Sequence, residues 1–256
     1  MGPISSAAAT HPGLRRAGNE DAYCVRPDLG LYMVADGMGG HAAGEVASKL
    51  AVEAVEAFIE DTRTADANRT WPFPYNPAIS FEANRLVAAL RLANRRLGAA
   101  IGRDASLKGM ATTAAVLLAG PTDLAVAHVG DSRVYVLRGS VVRQVTEDHS
   151  WVSEQVRAGS MTEDDAKQHP WRNVVTRALS GGEDPQIDVG PLPAEPGDHL
   201  LICSDGLSGV VPSEAFRPLI DGAPSLESAC EALVSAANEG GGPDNITVVL
   251  LRIDVE

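Results

Sequence analysis

The chain has 256 residues, 45% hydrophobic but only 4% aromatic, with a formal net charge of −13. The length fits one large domain, residues 1–256, and the composition predicts a core built from Ala, Val and Leu. The acidic balance argues against nucleic acid and anionic membranes as partners, because both need basic patches.

In chain order, residues 31–35 form an apolar β-like run that ends at Asp36. Val46, Leu50, Ala54, Val55 and Phe58 make a helical stripe over 45–59. Residues 62–79 hold Pro72, Pro74 and Pro77 among Trp71, Phe73 and Tyr75, which predicts a loop packed by its own aromatics. A second helical stripe follows over 83–101. Strand runs at 113–119 and 124–129 are joined by Gly120-Pro121-Thr122-Asp123, and a further run at 133–137 follows Gly130-Asp131-Ser132; both pairs read as antiparallel hairpins. The polar segment 150–173 has no clear period, and such long connections are usually functional or disordered. A strand at 199–203, a helix carrying Leu226, Ala229, Cys230, Leu233, Val234 and Ala237, and a strand at 246–253 complete the chain. Strands in series with helices in pairs predict α+β layers rather than a doubly wound parallel sheet.

No run approaches the roughly 18 apolar residues of a membrane span, and residues 1–7 lack the basic and apolar regions of a secretory signal. Cys24, Cys203 and Cys230 are odd in number and far apart. That argues against a disulfide framework or a zinc cluster and predicts a reducing, cytoplasmic setting.

Four acidic stretches stand out: Asn19-Glu20-Asp21, Asp36-Gly37-Met38-Gly39-Gly40, Ser204-Asp205-Gly206 and Gly242-Pro243-Asp244-Asn245. Three of them put an Asp at the end of an apolar run beside Gly or Asn. Carboxylates held at strand ends by tight turns suit a hard divalent cation, which prefers oxygen ligands and keeps several waters. One such Asp is a turn residue; a set of them reads as a metal site.

These stretches, with Gly109-Met110-Ala111-Thr112-Thr113, Val129-Gly130-Asp131-Ser132-Arg133, Glu147-Asp148-His149-Ser150 and Thr176-Arg177-Ala178-Leu179, closely resemble, in order, the bacterial form of the PPM-type (type 2C) metal-dependent serine/threonine protein phosphatases. The resemblance runs from about Leu14 to Ile253. It implies an α-β-β-α sandwich, two antiparallel sheets flanked by helix pairs. It also implies two central Mn²⁺ or Mg²⁺ ions bridged by Asp36, with the Gly37 carbonyl, Asp205 and Asp244 as further ligands. Glu20 and Asp21 would hold metal-bound waters. Two cations about 4 Å apart activate a shared water for in-line attack, so no nucleophilic side chain is needed.

Arg16, four residues before Glu20, takes the position of the family's phosphate-gripping arginine, with Arg15 as competitor. Met38 stands where many animal and plant members have a His. His41 is therefore one candidate for the acid that protonates the leaving oxygen, against a metal-bound water, with His41 only capping a helix. Asp131 is either a plain hairpin residue or, with Asp205, the holder of a weaker third cation; the metal reading is preferred. His149 and His169 are expected to be structural, Cys203 a core residue, and the 150–173 segment a flap over the site.

The function implied is hydrolysis of phosphoserine and phosphothreonine in proteins by a monomer, opposing a bacterial Ser/Thr kinase. A catalytically silent phosphopeptide-binding module on the same fold competes with it. The presence of Asp36, Asp205 and Asp244 favours the enzyme. A third option is a phosphatase dedicated to one regulator such as an anti-sigma-factor antagonist.

Overall fold

The computed structural model describes residues 2–39, 43–64, 71–121 and 123–255. The chain opens with strands β1 (Ile4–His11), β2 (Asp21–Arg26) and β3 (Leu31–Met38), then helices α1 (Ala43–Asp61) and α2 (Phe81–Arg103). Strands β4 (Ala111–Thr112), β5 (Ala114–Ala119), β6 (Leu124–Val129), β7 (Arg133–Arg138) and β8 (Val141–Gln144) come next, followed by short helices α3 (Trp151–Arg157) and α4 (Glu163–Gln168). Strands β9 (Asp188–Pro191) and β10 (His199–Cys203), helices α5 (Asp205–Ser208), α6 (Phe216–Asp221) and α7 (Leu226–Glu239), and strand β11 (Ile246–Ile253) complete it.

One antiparallel sheet has the order β1-β11-β10-β7-β8, and the other β2-β3-β5-β6-β9 with β4 paired to β3. The central strands are apolar on both faces because both faces are covered. In β3, Leu31, Met33 and Ala35 pack towards α1 and α2, while Tyr32 and Val34 pack between the sheets. In β11, Val248 and Leu250 face α7, and Val249 and Leu251 face the other sheet. The period-two alternation thus sorts each strand into two apolar layers. Helix α2 starts where the Ser80 side chain accepts the Ala83 N–H, and it buries Leu86, Leu90, Ala93 and Leu97 at helical spacing. The α-β-β-α sandwich expected from the sequence is the fold the chain adopts.

Several elements were not foreseen. Strands β1 and β2 are sheet edges of small or polar residues, half-buried for most of their length, and β8 and β9 are short edges of the same kind. The 150–173 segment is not irregular throughout; it holds α3 and α4, capped by Ser150 and Thr162. Trp71 does contact Tyr75 within its own loop, but it also packs on Phe58 of α1 and Phe81 of α2. The loop is therefore docked by aromatics on the flanking helices as well as by its own.

Candidate active site

The layer between the sheets changes character at one end of the sandwich. The faces that carry Val34, Ile202 and Val249 continue in register to Asp36, Ser204 and Thr247. Asp21, directly opposite Asp36 in the β2–β3 pair, adds a second carboxylate to that face. Asp205 follows β10 as the first residue of α5, Asp244 precedes β11, and Asp131 sits in the β6–β7 turn. The fold therefore brings together all four acidic segments and the Asp131 turn.

Hydrogen bonds fix this end from several strands. The Asp36 N–H donates to Thr113 Oγ1 (3.0 Å), and the Asp36 carbonyl accepts from the Thr113 N–H and the Thr112 hydroxyl, both at 2.9 Å. Thr113 Oγ1 in turn lies 2.7 Å from Ser132 Oγ, beside Asp131. The fully buried Ser204 hydroxyl accepts from the Thr247 N–H (3.0 Å) and donates to Asp21 Oδ2 (2.8 Å), tying one sheet to the other. A Cβ on Gly37 would stand 2.1 Å from the Gly44 carbonyl oxygen and 2.5 Å from that of Glu20, so only glycine fits where backbone segments crowd the site.

The carboxylates raise one another's pKa. Asp21, 7% exposed, is pushed up to about 7, first by burial and then by Asp205 and Asp244, against hydrogen bonds from Thr247 and Ser204. Asp131, 8% exposed, is also pushed up to about 7, by burial first and by Asp205 and Asp148 next. Asp36 is raised well above the usual carboxylate range by burial and by Asp21, Asp205, Asp131 and Asp244. Asp205 is raised by burial and by Asp244. Glu20 is raised by burial, which the nearby Arg16 partly offsets. Buried like charges at close range are costly unless a cation is shared among them.

The residues fit such a cation. Asp21 Oδ1 and Asp205 Oδ1 are buried and make no hydrogen bond among the described residues. The donor set is oxygen throughout, which suits Mn²⁺ or Mg²⁺ rather than a thiolate-seeking metal.

Arg16 lies at the rim. Its Nη2 donates to Asp244 Oδ2 at 2.6 Å, while Asp244 Oδ1 accepts the Asn245 N–H at 2.8 Å. Its side chain stays half exposed, and Arg15 is exposed beside it. His41 lies outside the described residues. Sequence reasoning missed Thr113, Ser204, Asn245 and Thr247 as parts of the site. Each is an ordinary polar residue whose role is set by partners far along the chain.

A second cluster, His128, His149 and Asp188, places potential metal-ligating atoms within 4.8 Å of one another. Its hydrogen bonds oppose metal binding. The Gly130 N–H donates to His149 Nδ1, which leaves the proton on Nε2 to donate to Asp188 Oδ2 at 3.2 Å. His128 Nε2 donates to the Glu147 carbonyl, and Arg177 already supplies a cation to Asp188 at 3.2 Å. Burial lowers the His149 pKa, consistent with a neutral structural ring.

Beside the carboxylates, a cleft of about 730 Å³ runs from Asp131 and Asp205 to Val152, Lys167 and Arg172 of the 150–173 segment. Trp151 stacks on His169 and meets Trp171 edge-on, which pins α4 and the residues after it to α3. Cys203 is fully buried and its thiol is pushed up to about 12, chiefly by burial, so it is a core residue rather than a reactive one.

The protein phosphatase 2C family model matches residues 15–238. The chain is 34% identical over 252 residues to protein phosphatase PhpP of Streptococcus pneumoniae, covering 96% of each chain. The crystal structure of the Mycobacterium tuberculosis serine/threonine phosphatase PstP/Ppp superposes with a TM-score of 0.85 at 36% identity, covering 98% of this chain and 99% of that one. A structure of the PstP catalytic domain in complex with two manganese ions gives 0.81 at 34% identity, again over 98% and 99% of the two chains. With matches of this identity and extent, the chain belongs to the protein phosphatase 2C family of metal-dependent serine/threonine phosphatases.

Proposed function

We propose that residues 1–256 act as one catalytic domain that removes phosphate from phosphoserine and phosphothreonine in proteins. The observation that carries this reading is the convergence of Asp21, Asp36, Asp205 and their neighbours into one buried, mutually repelling oxygen-donor set beside an arginine. A silent phosphopeptide-binding module would have no need to maintain so costly a set.

Asp36, Asp205, Asp244 and the Gly37 carbonyl are the groups that would hold two central Mn²⁺ or Mg²⁺ ions, with Asp131 and Asp205 holding a weaker third. When bound, such ions supply positive charge to the phosphoryl oxygens and lower the pKa of water. Glu20 and Asp21 accept hydrogen bonds from the water of the site and orient it. Arg16 offers a planar fork to two phosphate oxygens, which fixes the ester in line for attack. His41 is proposed as a donor to the departing Ser or Thr oxygen. The 150–173 segment, bordering the cleft, acts as a flap that selects the protein carrying the phosphate.

A cytoplasmic monomer opposing a Ser/Thr kinase is the setting we infer. The acidic chain and the absence among its described residues of any helix long and apolar enough to cross a membrane are consistent with it. The test is hydrolysis of an aryl phosphate and of a phosphothreonine peptide in EDTA and after adding back Mn²⁺ or Mg²⁺. Turnover restored by metal on both substrates is expected. Tight peptide binding without turnover under any metal would select the binding-module reading instead.

A further inference from the structure

Arg16 stands on an exposed loop, yet a phosphate grip requires a fixed position. The residue that fixes it is Asn245, next to Asp244 and 5% exposed. Its side-chain Nδ2 donates to two carbonyls at once, Pro12 O at 2.9 Å and Gly18 O at 2.8 Å. These are the two feet of the arch that carries Arg16. Its Oδ1 accepts the Glu20 N–H at 2.8 Å, and its own N–H donates to Asp244 Oδ1 at 2.8 Å. Only one orientation of the amide meets two acceptors and one donor, and no other side chain offers this combination in the same shape except the longer Gln.

The arch also rests directly on the segment before Asn245. The Leu14 N–H donates to the Gly242 carbonyl at 2.8 Å. Gly13 has φ +79, and a Cβ there would stand 2.1 Å from the Asp244 carbonyl oxygen. Between these anchors Arg16 reaches Asp244 at 2.6 Å. One buried amide therefore joins the arginine arch, the Glu20 backbone and the Asp244 turn.

We infer that Asn245 is a positioning residue that holds Arg16 for the phosphate, acting through the two ends of the Pro12–Gly18 arch. This inference rests on the reading of Arg16 as the phosphate grip. Removing the amide frees both feet of the arch and leaves two buried or half-buried carbonyls to find other partners. Arg16 then spends its time over many positions, and the cost falls on phosphate binding more than on the chemical step.

The test uses the full chain loaded with Mn²⁺ and compares wild type, Arg16→Ala, Asn245→Ala and the double variant. The readouts are kcat and KM for an aryl phosphate, competitive inhibition by inorganic phosphate, and hydrogen exchange of the 13–18 amides. Asn245→Ala should raise both KM and the phosphate inhibition constant by about tenfold, with kcat changed less than about threefold. The 13–18 amides should exchange faster. In the Arg16→Ala background the same substitution should cost less than about threefold in kcat/KM, because the two act as one unit.

Full multiplicative losses in the double variant, or an unchanged phosphate inhibition constant in Asn245→Ala, would overturn the inference while leaving Arg16 in place. An unchanged constant in Arg16→Ala would overturn the Arg16 reading and this one together. If Asn245→Ala does not fold, Asn245→Asp carries the test: it keeps the acceptor for Glu20 and turns the donor away from Pro12 and Gly18. Its exchange at 13–18 and its coupling to Arg16→Ala are judged by the same limits.

Discussion

Asp21 and Asp36 are directly opposite each other across the β2–β3 pair, with both carboxylates on the face between the two sheets. Like charges so placed are destabilising in any sheet, and here Asp21 is pushed up to about 7 and Asp36 well above its ordinary value. A fold that tolerates this pairing stores a preference for cations at one end of the sandwich.

The pH dependence of stability follows from that pairing. The unfolded chain releases these carboxyl protons near pH 4, whereas the metal-free native state keeps them to about 7 for Asp21 and Asp131. Between those values the native state binds more protons, so its stability is greatest at the acid end and is lost as pH rises. Thermal melts in EDTA should therefore fall by several degrees from pH 5 to pH 8, and Mn²⁺ should raise Tm more at pH 8 than at pH 5. A Tm in EDTA that climbs over this range would contradict the assignment.

Ser204 is the link between the sheets at the site. Ser204→Ala removes the donor to Asp21 and the acceptor for the Thr247 N–H, both buried. We expect a loss of about 1–3 kcal/mol in denaturant unfolding, along with weaker Mn²⁺ binding because Asp21 loses its orientation. A variant within about 0.5 kcal/mol of wild type would mean that the hydroxyl is replaced at no cost, by water or by a shift of β11.

Asp131 tests the third cation. Held by Asp131 and Asp205 alone, that ion has fewer protein ligands than the central pair and binds more weakly. Asp131→Ala should keep two bound Mn²⁺ by calorimetry, lose the third, and fall at least about tenfold in kcat. Two ions with undiminished kcat would make the third site incidental. Fewer than two would place Asp131 with the central pair or in the turn that supports it.

The flap makes a separable prediction. Trp171 is 54% exposed and meets Trp151 edge-on, so it anchors the segment without entering the carboxylate cluster. Trp171→Ala should lower kcat/KM on a phosphoprotein by about threefold to tenfold and leave aryl phosphate hydrolysis within about twofold. Equal losses on both substrates would make the segment a support of the core.

The sequence made the central strands legible because they are buried on both faces: β3, β10 and β11 read as apolar runs meeting an Asp. Strands β1 and β2 carried no such signal. ISSAAATH and DAYCVR lie at sheet edges and are only partly covered, so their residues need not alternate. Helix α4 had a readable start in Thr162-Glu163-Asp164-Asp165, where the Thr162 side chain accepts the Asp165 N–H, but its brevity hid it. The carboxylate cluster was legible through its motifs. Its supporting groups were not, because Ser204 meets Asp21 across 183 residues and Asn245 meets Gly18 across 227. No local pattern announces a partner that far away.

The central claim, that one carboxylate cluster carries the chemistry by holding cations, is tested most directly by Asp205→Asn. The substitution keeps the shape of the side chain and removes one of the repelling charges. Hydrolysis of an aryl phosphate at saturating Mn²⁺ should fall at least about a hundredfold, with metal affinity reduced. The fold should survive, with Tm in EDTA at pH 8 equal to or above wild type, because a charge buried beside Asp36 and Asp244 is gone. Retention of more than about a tenth of wild-type turnover would contradict the account.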